Sequence, residues 1–252
     1  MTGAVLIERQ GGLLSLRLNR PEKKNAITRD MYQVMADALE SLDSSVRVVM
    51  LSGSCGCFTA GNDIKDFLAA PPDSLSHPTL RFIKALPKVP VPMVAQVAGP
   101  AIGIGTTMLL HCDLVVAATD AIFGLPFVKL GLVPEAGSSL LLPNLIGYQR
   151  AAAMLLLGET IDAATAERYG LITHLVAPED LVETADRLVA RLMALPPAAL
   201  KMTKKLIKGW EAGTADRIDE ELKIFLDRLQ SAELKEAATA FVEKRPPDFS
   251  KF

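Results

Sequence analysis

The stretch Ala98-Gly99-Pro100-Ala101-Ile102-Gly103-Ile104-Gly105-Thr106-Thr107 constrains this chain more than any other. An apolar run over 91–98 ends there in small residues, and a second apolar run around Met108-Leu109-Leu110 follows. The first run predicts a buried strand and the second a helix over 105–112. Glycine permits sharp turns and close backbone approach, and the first amides of a helix have no partner within it. Such a turn offers N–H groups to an anion, with a helix dipole adding partial positive charge near Ile104. Two nucleotide readings fail. A phosphate-cradling loop would end in Gly-Lys-Ser/Thr, and this stretch has no lysine; a dinucleotide fingerprint would need glycine where Met108 stands. Tight packing and an oxyanion hole remain as the two uses of the turn.

Around it the chain alternates strands and helices. Apolar runs at 4–9 and 13–18, separated by Gln10-Gly11-Gly12, predict a hairpin. A polar loop over 20–26 follows. Thr28 is placed to N-cap a helix whose buried face carries Met31, Val34, Met35, Ala38, Leu39 and Leu42 at three- and four-residue spacing. A strand at 46–51 leads into a second small-residue turn, 58–66, heading towards a helix. Residues 71–79 hold three prolines and predict a loop. A buried strand at 114–118 is followed by a turn through Gly124 and Phe127 to Gly131. Beyond Pro143 the pattern is mostly helical, at 151–157, 163–169, 180–193, 198–210, 216–229 and 232–244, with a short strand at 171–176. This shift divides an α/β core, 1–195, from a helical C-terminal region, 196–252.

With 252 residues, 50% of them hydrophobic and 22% charged, the chain can bury a sizeable core. A net charge of -2 gives no general attraction to nucleic acid or anionic membranes. Pro92, Gln96, Pro100, His111 and Asp113 break the longest apolar stretch, so no membrane span is expected. Cys55-Gly56-Cys57 has no Cys or His pair at zinc spacing, which predicts reduced thiols and no metal. Residues 1–9 lack the pattern of a signal peptide. Ser250-Lys251-Phe252 differs by one residue from a peroxisomal address and is read as chance, so a cytoplasmic protein is expected. His77, His111 and His174 accompany no Gly-x-Ser-x-Gly elbow, which speaks against a serine hydrolase. His111 is expected to be a satisfied core side chain and Trp210 a packing residue. Lys201, Lys204, Lys205 and Lys208 predict a solvated helix stripe.

Four motifs occur in order: Arg20-Pro21-x-x-x-Asn25-Ala26, Ala60-Gly61-Asn62-Asp63, the run from Ala98 to Gly105, and Phe241-Val242-Glu243-Lys244-Arg245. With these motifs the sequence resembles the crotonase superfamily, the enoyl-CoA hydratases and isomerases, over almost its whole length. The resemblance implies an α/β fold, a spiral of repeated ββα units with helices at the C-terminus. It also implies trimers or dimers of trimers and acyl-CoA thioester substrates, with coenzyme A as part of the substrate and no separate cofactor. It assigns the oxyanion hole to the backbone amides of Asn62 and Ile104, flanked by Gly61, Gly103 and Gly105. It assigns CoA contacts to Lys23, Lys24, Ala26, Ala60, Asp63 and Ile64, with Phe241 and Lys244 reaching a neighbouring subunit's CoA.

The acid/base group separates the reactions within that family. The glutamates of the hydratases would stand at Thr107 and Phe127, where this chain has no carboxylate; Phe127 is then a pocket residue. Pro134-Glu135-Ala136-Gly137-Ser138-Ser139 is similar to the pattern of Δ3,Δ2-enoyl-CoA isomerases of peroxisomal type, which makes Glu135 the single acid/base. Among Leu132, Val133, Pro134 and Ala136 its carboxylate would be partly desolvated and a stronger base. Read without the family pattern, Glu135 would instead be the N1 or N-cap residue of a helix over 136–142. Atypical hydration or another enolate reaction is the alternative chemistry. A non-catalytic acyl-CoA binder or an RNA-associated member is a third reading, although no nucleic-acid partner is expected at this net charge.

Overall fold

The computed structural model describes residues 3–209, 213–250 and Phe252; Trp210 and the Lys251 of the terminal tripeptide lie outside them. Strands β1 (Val5–Gln10) and β2 (Leu13–Leu18) form an antiparallel hairpin. It closes through Gly11 and Gly12, both at positive φ, as a two-residue turn matched to strand twist requires. After β2 the chain winds as a spiral. Strands β3 (Val48–Gly53), β4 (Met93–Val97), β6 (Leu114–Ala118) and β9 (His174–Val176) line up parallel to β2, giving one sheet in the order β1-β2-β3-β4-β6-β9. Strands β5 (Pro100–Ile102), β7 (Ile122–Gly124) and β8 (Thr160–Asp162) form a second. Parallel bridges Thr59↔Ala101 and Ile27↔Asn62 continue that second stack backwards along the chain. Each turn therefore lays one segment in the large sheet, one in the second stack, and returns through helix.

The helices are α1 (Arg29–Glu40), α2 (Ile64–Ala69), α3 (Pro78–Ala85), α4 (Ile104–Thr107), α5 (Ser138–Ile146), α6 (Tyr148–Leu156), α7 (Ala163–Tyr169), α8 (Leu181–Met193), α9 (Pro197–Lys208), α10 (Thr214–Arg228) and α11 (Ala232–Glu243). Strands β4 and β6 are apolar on both faces because both are covered. On one face α8 packs Leu181, Ala185 and Leu188 against Val116 and Ala118, and Val189 against Val48 and Val94. On the other, Val49, Leu51, Ala95 and Val115 join the main core with α1, α3 and the segment after α4. Ile218, Leu222, Phe225 and Leu234 of α10 and α11 belong to that same core. No helix among the described residues is long and apolar enough to cross a membrane.

The structure departs from the sequence reading in particular places. Pro78 begins helix α3 rather than extending the loop, because a first-turn N–H is unpaired anyway and the His77 side chain accepts from Thr79 N. Val34 is 38% exposed, whereas Tyr32 and Ala36 are buried, since α1 is covered by α3 as well as by the sheet. The helix over 105–112 is α-helical only over Ile104–Thr107 and continues as a 3-10 turn, Met108–His111. The lysine stripe is solvated only in part. Lys204 is buried on the inner side of α9, where its Nζ donates to Val91 O and Asp113 Oδ2, both at 2.7 Å.

Candidate active site

The second stack brings the two small-residue turns together. Thr59 N donates to Pro100 O at 2.8 Å and Ile102 N to Thr59 O at 3.1 Å, so the segments run parallel and in register. With Thr59 opposite Ala101, Asn62 and Ile104 occupy equivalent positions where both segments end. Among the described residues neither the Asn62 N–H nor the Ile104 N–H has an acceptor. The backbone reaches this geometry through Gly61, at φ 91, and Gly103, at φ 58, a conformation L-residues rarely adopt. Gly61 also lies so close to the neighbouring turn that a Cβ would stand 2.8 Å from Ile102 O. Gly105 allows α4 to pack on Thr59, where a Cβ would come within 2.6 Å of Thr59 Cγ2. The α-helical stretch is short, so two local amides rather than a long helix dipole face the site.

Glu135 is 4% exposed. Thr107 Oγ1, one helical turn beyond Ile104, donates to Glu135 Oε1 at 2.5 Å. The other oxygen, Oε2, is buried without a partner among the described residues. Burial, with the nearby Glu221 charge, outweighs the Thr107 hydrogen bond and pushes the carboxyl up to about 8. The same short helical segment carries His111, whose Nε2 donates to Ala136 O at 2.7 Å. Ile104, Thr107 and His111 fall on one face, so one segment presents an open amide, holds the Glu135 side chain and holds the next peptide. His111 is only half satisfied, since its Nδ1 is buried without a partner among the described residues. Burial lowers it to about 4, so it is neutral at physiological pH. The capping alternative for Glu135 does not hold: α5 starts at Ser138 with Gly137 as its cap, and its first amides go to Glu221 instead.

The loop carrying Lys23 and Lys24 sits against the Asn62 turn. Ala60 N donates to Lys24 O at 2.9 Å, and the Thr59 hydroxyl donates to Asn25 O at 2.7 Å. Asn25, fully buried, pins this junction by donating to Cys57 O and accepting from Arg20 N. Both lysines are exposed at the surface and Ala26 is half-buried. Asp63 caps α2 through Lys65 N and Asp66 N and pairs with Arg20 at 2.6 Å. Ile64, Phe67, Leu68, Leu130, Leu132, Leu234, Ala237 and Phe241 line an apolar cavity of about 40 Å³ that opens beside Asn62. Phe241, half exposed at the edge of this cavity, lies on the surface of α11. Lys244 closes α11 in a left-handed cap and does not line that cavity. Phe127 is buried, and its carbonyl accepts from Leu130 N and Leu132 N, shaping the pocket wall.

Two groups were not singled out in the sequence. Tyr32, buried on α1, donates from its hydroxyl to Asn62 Oδ1 at 2.5 Å. Burial, with the Glu135 charge, raises that phenol well above its ordinary range, so it remains a donor. Glu221 reaches the Glu135 turn from 84 residues beyond Gly137. No local pattern marks either: each occupies an ordinary position of an amphipathic helix.

The sequence matches the enoyl-CoA hydratase/isomerase family over residues 8–251. It is 35% identical to the 1,2-epoxyphenylacetyl-CoA isomerase of Escherichia coli K12, covering 98% of each chain. It is 34% identical to rat enoyl-CoA delta isomerase 2, covering 96% of this chain and 64% of that protein. The crystal structure of an enoyl-CoA hydratase/isomerase from Pseudoalteromonas atlantica T6c superposes with a TM-score of 0.93 at 41% identity, covering 98% of this chain and 100% of that one. The α/β spiral with its paired amides and the match along nearly the whole sequence lead to one conclusion: this chain is an enzyme of the enoyl-CoA hydratase/isomerase family, within the crotonase superfamily.

Proposed function

We propose that this enzyme is a Δ3,Δ2-enoyl-CoA isomerase with Glu135 as its single acid/base. The observation that carries the reading is the Glu135 carboxyl, held by Thr107 one turn from the open Ile104 amide, with its second oxygen unpartnered. The thioester oxygen accepts from the N–H groups of Asn62 and Ile104. In its ionised form, a stronger base for being buried, Glu135 removes a proton from C2, the electron pair moves into the carbonyl, and the two amides stabilise the enolate more than the ground state. The same carboxylic acid returns the proton to C4 as the double bond shifts from C3–C4 to C2–C3. No water is consumed and no cofactor takes part; coenzyme A enters with the substrate. Lys23, Lys24, Ala26, Ala60, Asp63 and Ile64 hold the CoA end, and Phe241 and Lys244, as the resemblance implies, reach a neighbouring subunit's CoA.

Hydration or another enolate reaction is the second reading, favoured by the breadth of the family's chemistry. It is disfavoured by Thr107, which is engaged with Glu135, and by Phe127, which is buried and apolar. The E. coli relative is by name an isomerase acting on an epoxyphenylacetyl-CoA. Assembly into trimers or dimers of trimers in the cytoplasm is part of the proposal. It rests on the resemblance and on the exposed Met202, Leu206 and Ile207 of α9.

The test offers 3-enoyl-CoA and 2-enoyl-CoA separately to the wild type and to Glu135→Gln. Formation of the conjugated thioester from the first, lost by orders of magnitude in the variant while CoA binding persists, is the expected result. Efficient hydration of the 2-enoyl substrate, or an unimpaired variant, would reject the isomerase assignment.

A further inference from the structure

Residues 135–139 form a turn that needs outside support. Ala136 stands at φ 59 and Gly137 at φ 72, two consecutive left-handed residues, a conformation that is strained for alanine because of its Cβ. Ala136 is fully buried, so water cannot satisfy the turn. Instead, Glu221 of α10, itself 5% exposed, accepts from Gly137 N at 2.6 Å and from Ser139 N at 2.9 Å. The turn closes back on Glu135: Ser138 Oγ donates to Glu135 O at 2.6 Å and Ser138 N to the same oxygen at 3.1 Å. A displacement of the clamped amides is therefore passed to the Glu135 backbone.

We infer that Glu221 is a positioning residue for the reaction: its carboxylate occupies the Gly137 and Ser139 amides and fixes the left-handed turn that aims Glu135 at the Ile104 face. The inference rests on the assignment of Glu135 as the acid/base. A plain helix cap could be a serine or an asparagine, and burying a carboxylate near a second one is costly. The charge has a use at this position, because a negative neighbour makes Glu135 hold its proton more tightly. The other groups facing the turn are accounted for. Burial raises the Glu221 carboxyl itself above its ordinary range, against the Ser139 and Gly137 hydrogen bonds and the Arg217 charge on the same helix, which favour its ionised form. Tyr32 approaches Glu135 from α1 as a neutral donor. His111 meets Ala136 O in its neutral form, with Lys204 and Lys208 of α9 beyond it.

The experiment compares 3-enoyl-CoA isomerisation by the wild type, Glu221→Gln and Glu221→Asp from about pH 5 to about pH 10, around the range in which Glu135 titrates. Glu221→Gln is expected to lower kcat about ten-fold or more with KM nearly unchanged, since misplacement of a reacting group is felt in the chemical step. Its acid limb is expected to move to lower pH, because loss of the negative neighbour lets Glu135 ionise earlier. Glu221→Asp keeps the charge and should keep the wild-type limb while losing part of kcat. A merely structural role would lower the amount of active enzyme without moving the limb. Unchanged kcat, or an unmoved limb in Glu221→Gln, overturns the inference. Should that variant not fold, amide hydrogen exchange in the wild type decides: protection of Gly137 and Ser139 equal to the interior of α5 supports the clamp, and free exchange overturns it. Wild-type activity in Glu135→Gln would reject the acid/base assignment alone, and the exchange of these two amides would still report on the clamp.

Discussion

Replacing Glu135 with Gln should make the protein more stable while abolishing its chemistry. The carboxyl has a pKa of 4.5 when solvated, and burial in the fold pushes it up to about 8. Because the folded group holds its proton more tightly, the native state binds more protons than the unfolded one between those values. Stability must fall as pH rises through that window and level off above it. At about 1.4 kcal/mol per pKa unit, the cost of the buried carboxyl is about 3 kcal/mol at pH 7 and about 5 kcal/mol above pH 9. Gln keeps an oxygen for the Thr107 hydroxyl and carries no ionisable group, so it avoids this cost. A gain of 3 kcal/mol would raise Tm by roughly 6–12 °C for a chain of this size. The assay is thermal unfolding of wild type and variant at about pH 4, 7 and 9, at matched protein concentration. The gap in Tm should be small in acid and widen with pH. A gap independent of pH, or one that narrows as pH rises, would refute the argument that Glu135 is held protonated by burial.

Other outcomes follow from the same geometry. Gly61→Ala would place a Cβ 2.8 Å from Ile102 O and displace the Asn62 amide; kcat should fall about 100-fold with the circular dichroism spectrum retained, and an unchanged kcat would remove that amide from the mechanism. Asp63→Ala removes the α2 cap and the Arg20 pair, at a cost of about 1–2 kcal/mol. Although burial alone would raise the Asp63 carboxyl, the Arg20 hydrogen bond and the α2 amides hold it below its ordinary range. The wild-type advantage should therefore be full above the ordinary carboxylate pKa and vanish as pH falls through the depressed one, as read by urea unfolding. Lys204→Met leaves Asp113 and the Val91 carbonyl without their cation and should cost about 3 kcal/mol. The exposed Lys205→Met should stay within about 0.5 kcal/mol; equal effects of the two would show that the buried pair contributes nothing.

Much of this molecule is written locally. Strands β1, β2, β4 and β6 and the helices α7 and α8 follow from runs of apolar residues and their period, and the Thr28 cap from one hydroxyl at a helix start. The two small-residue turns that carry Asn62 and Ile104 stand out in the sequence because close backbone approach there demands glycine. Glu135 stands out only by its surrounding motif, since a carboxylate before a helix reads equally well as a cap. Pro78 misled for a related reason: proline breaks a helix interior but suits a first turn, and the sequence alone does not mark which it occupies.

What the tertiary structure decided lies between segments far apart in the chain. The register of Thr59 on Ala101 sets Asn62 beside Ile104, and α10 rather than α5 supplies the anion at the Gly137 amides. Lys204 turns inward to Asp113 although its spacing matches three lysines less deeply placed, and Tyr32 finds Asn62 from an ordinary amphipathic helix. Periodicity records whether a residue faces the core, because that depends on its neighbours along the chain. It does not record which group it meets there, because a buried polar atom is satisfied by whichever donor or acceptor the packing of distant elements brings within reach.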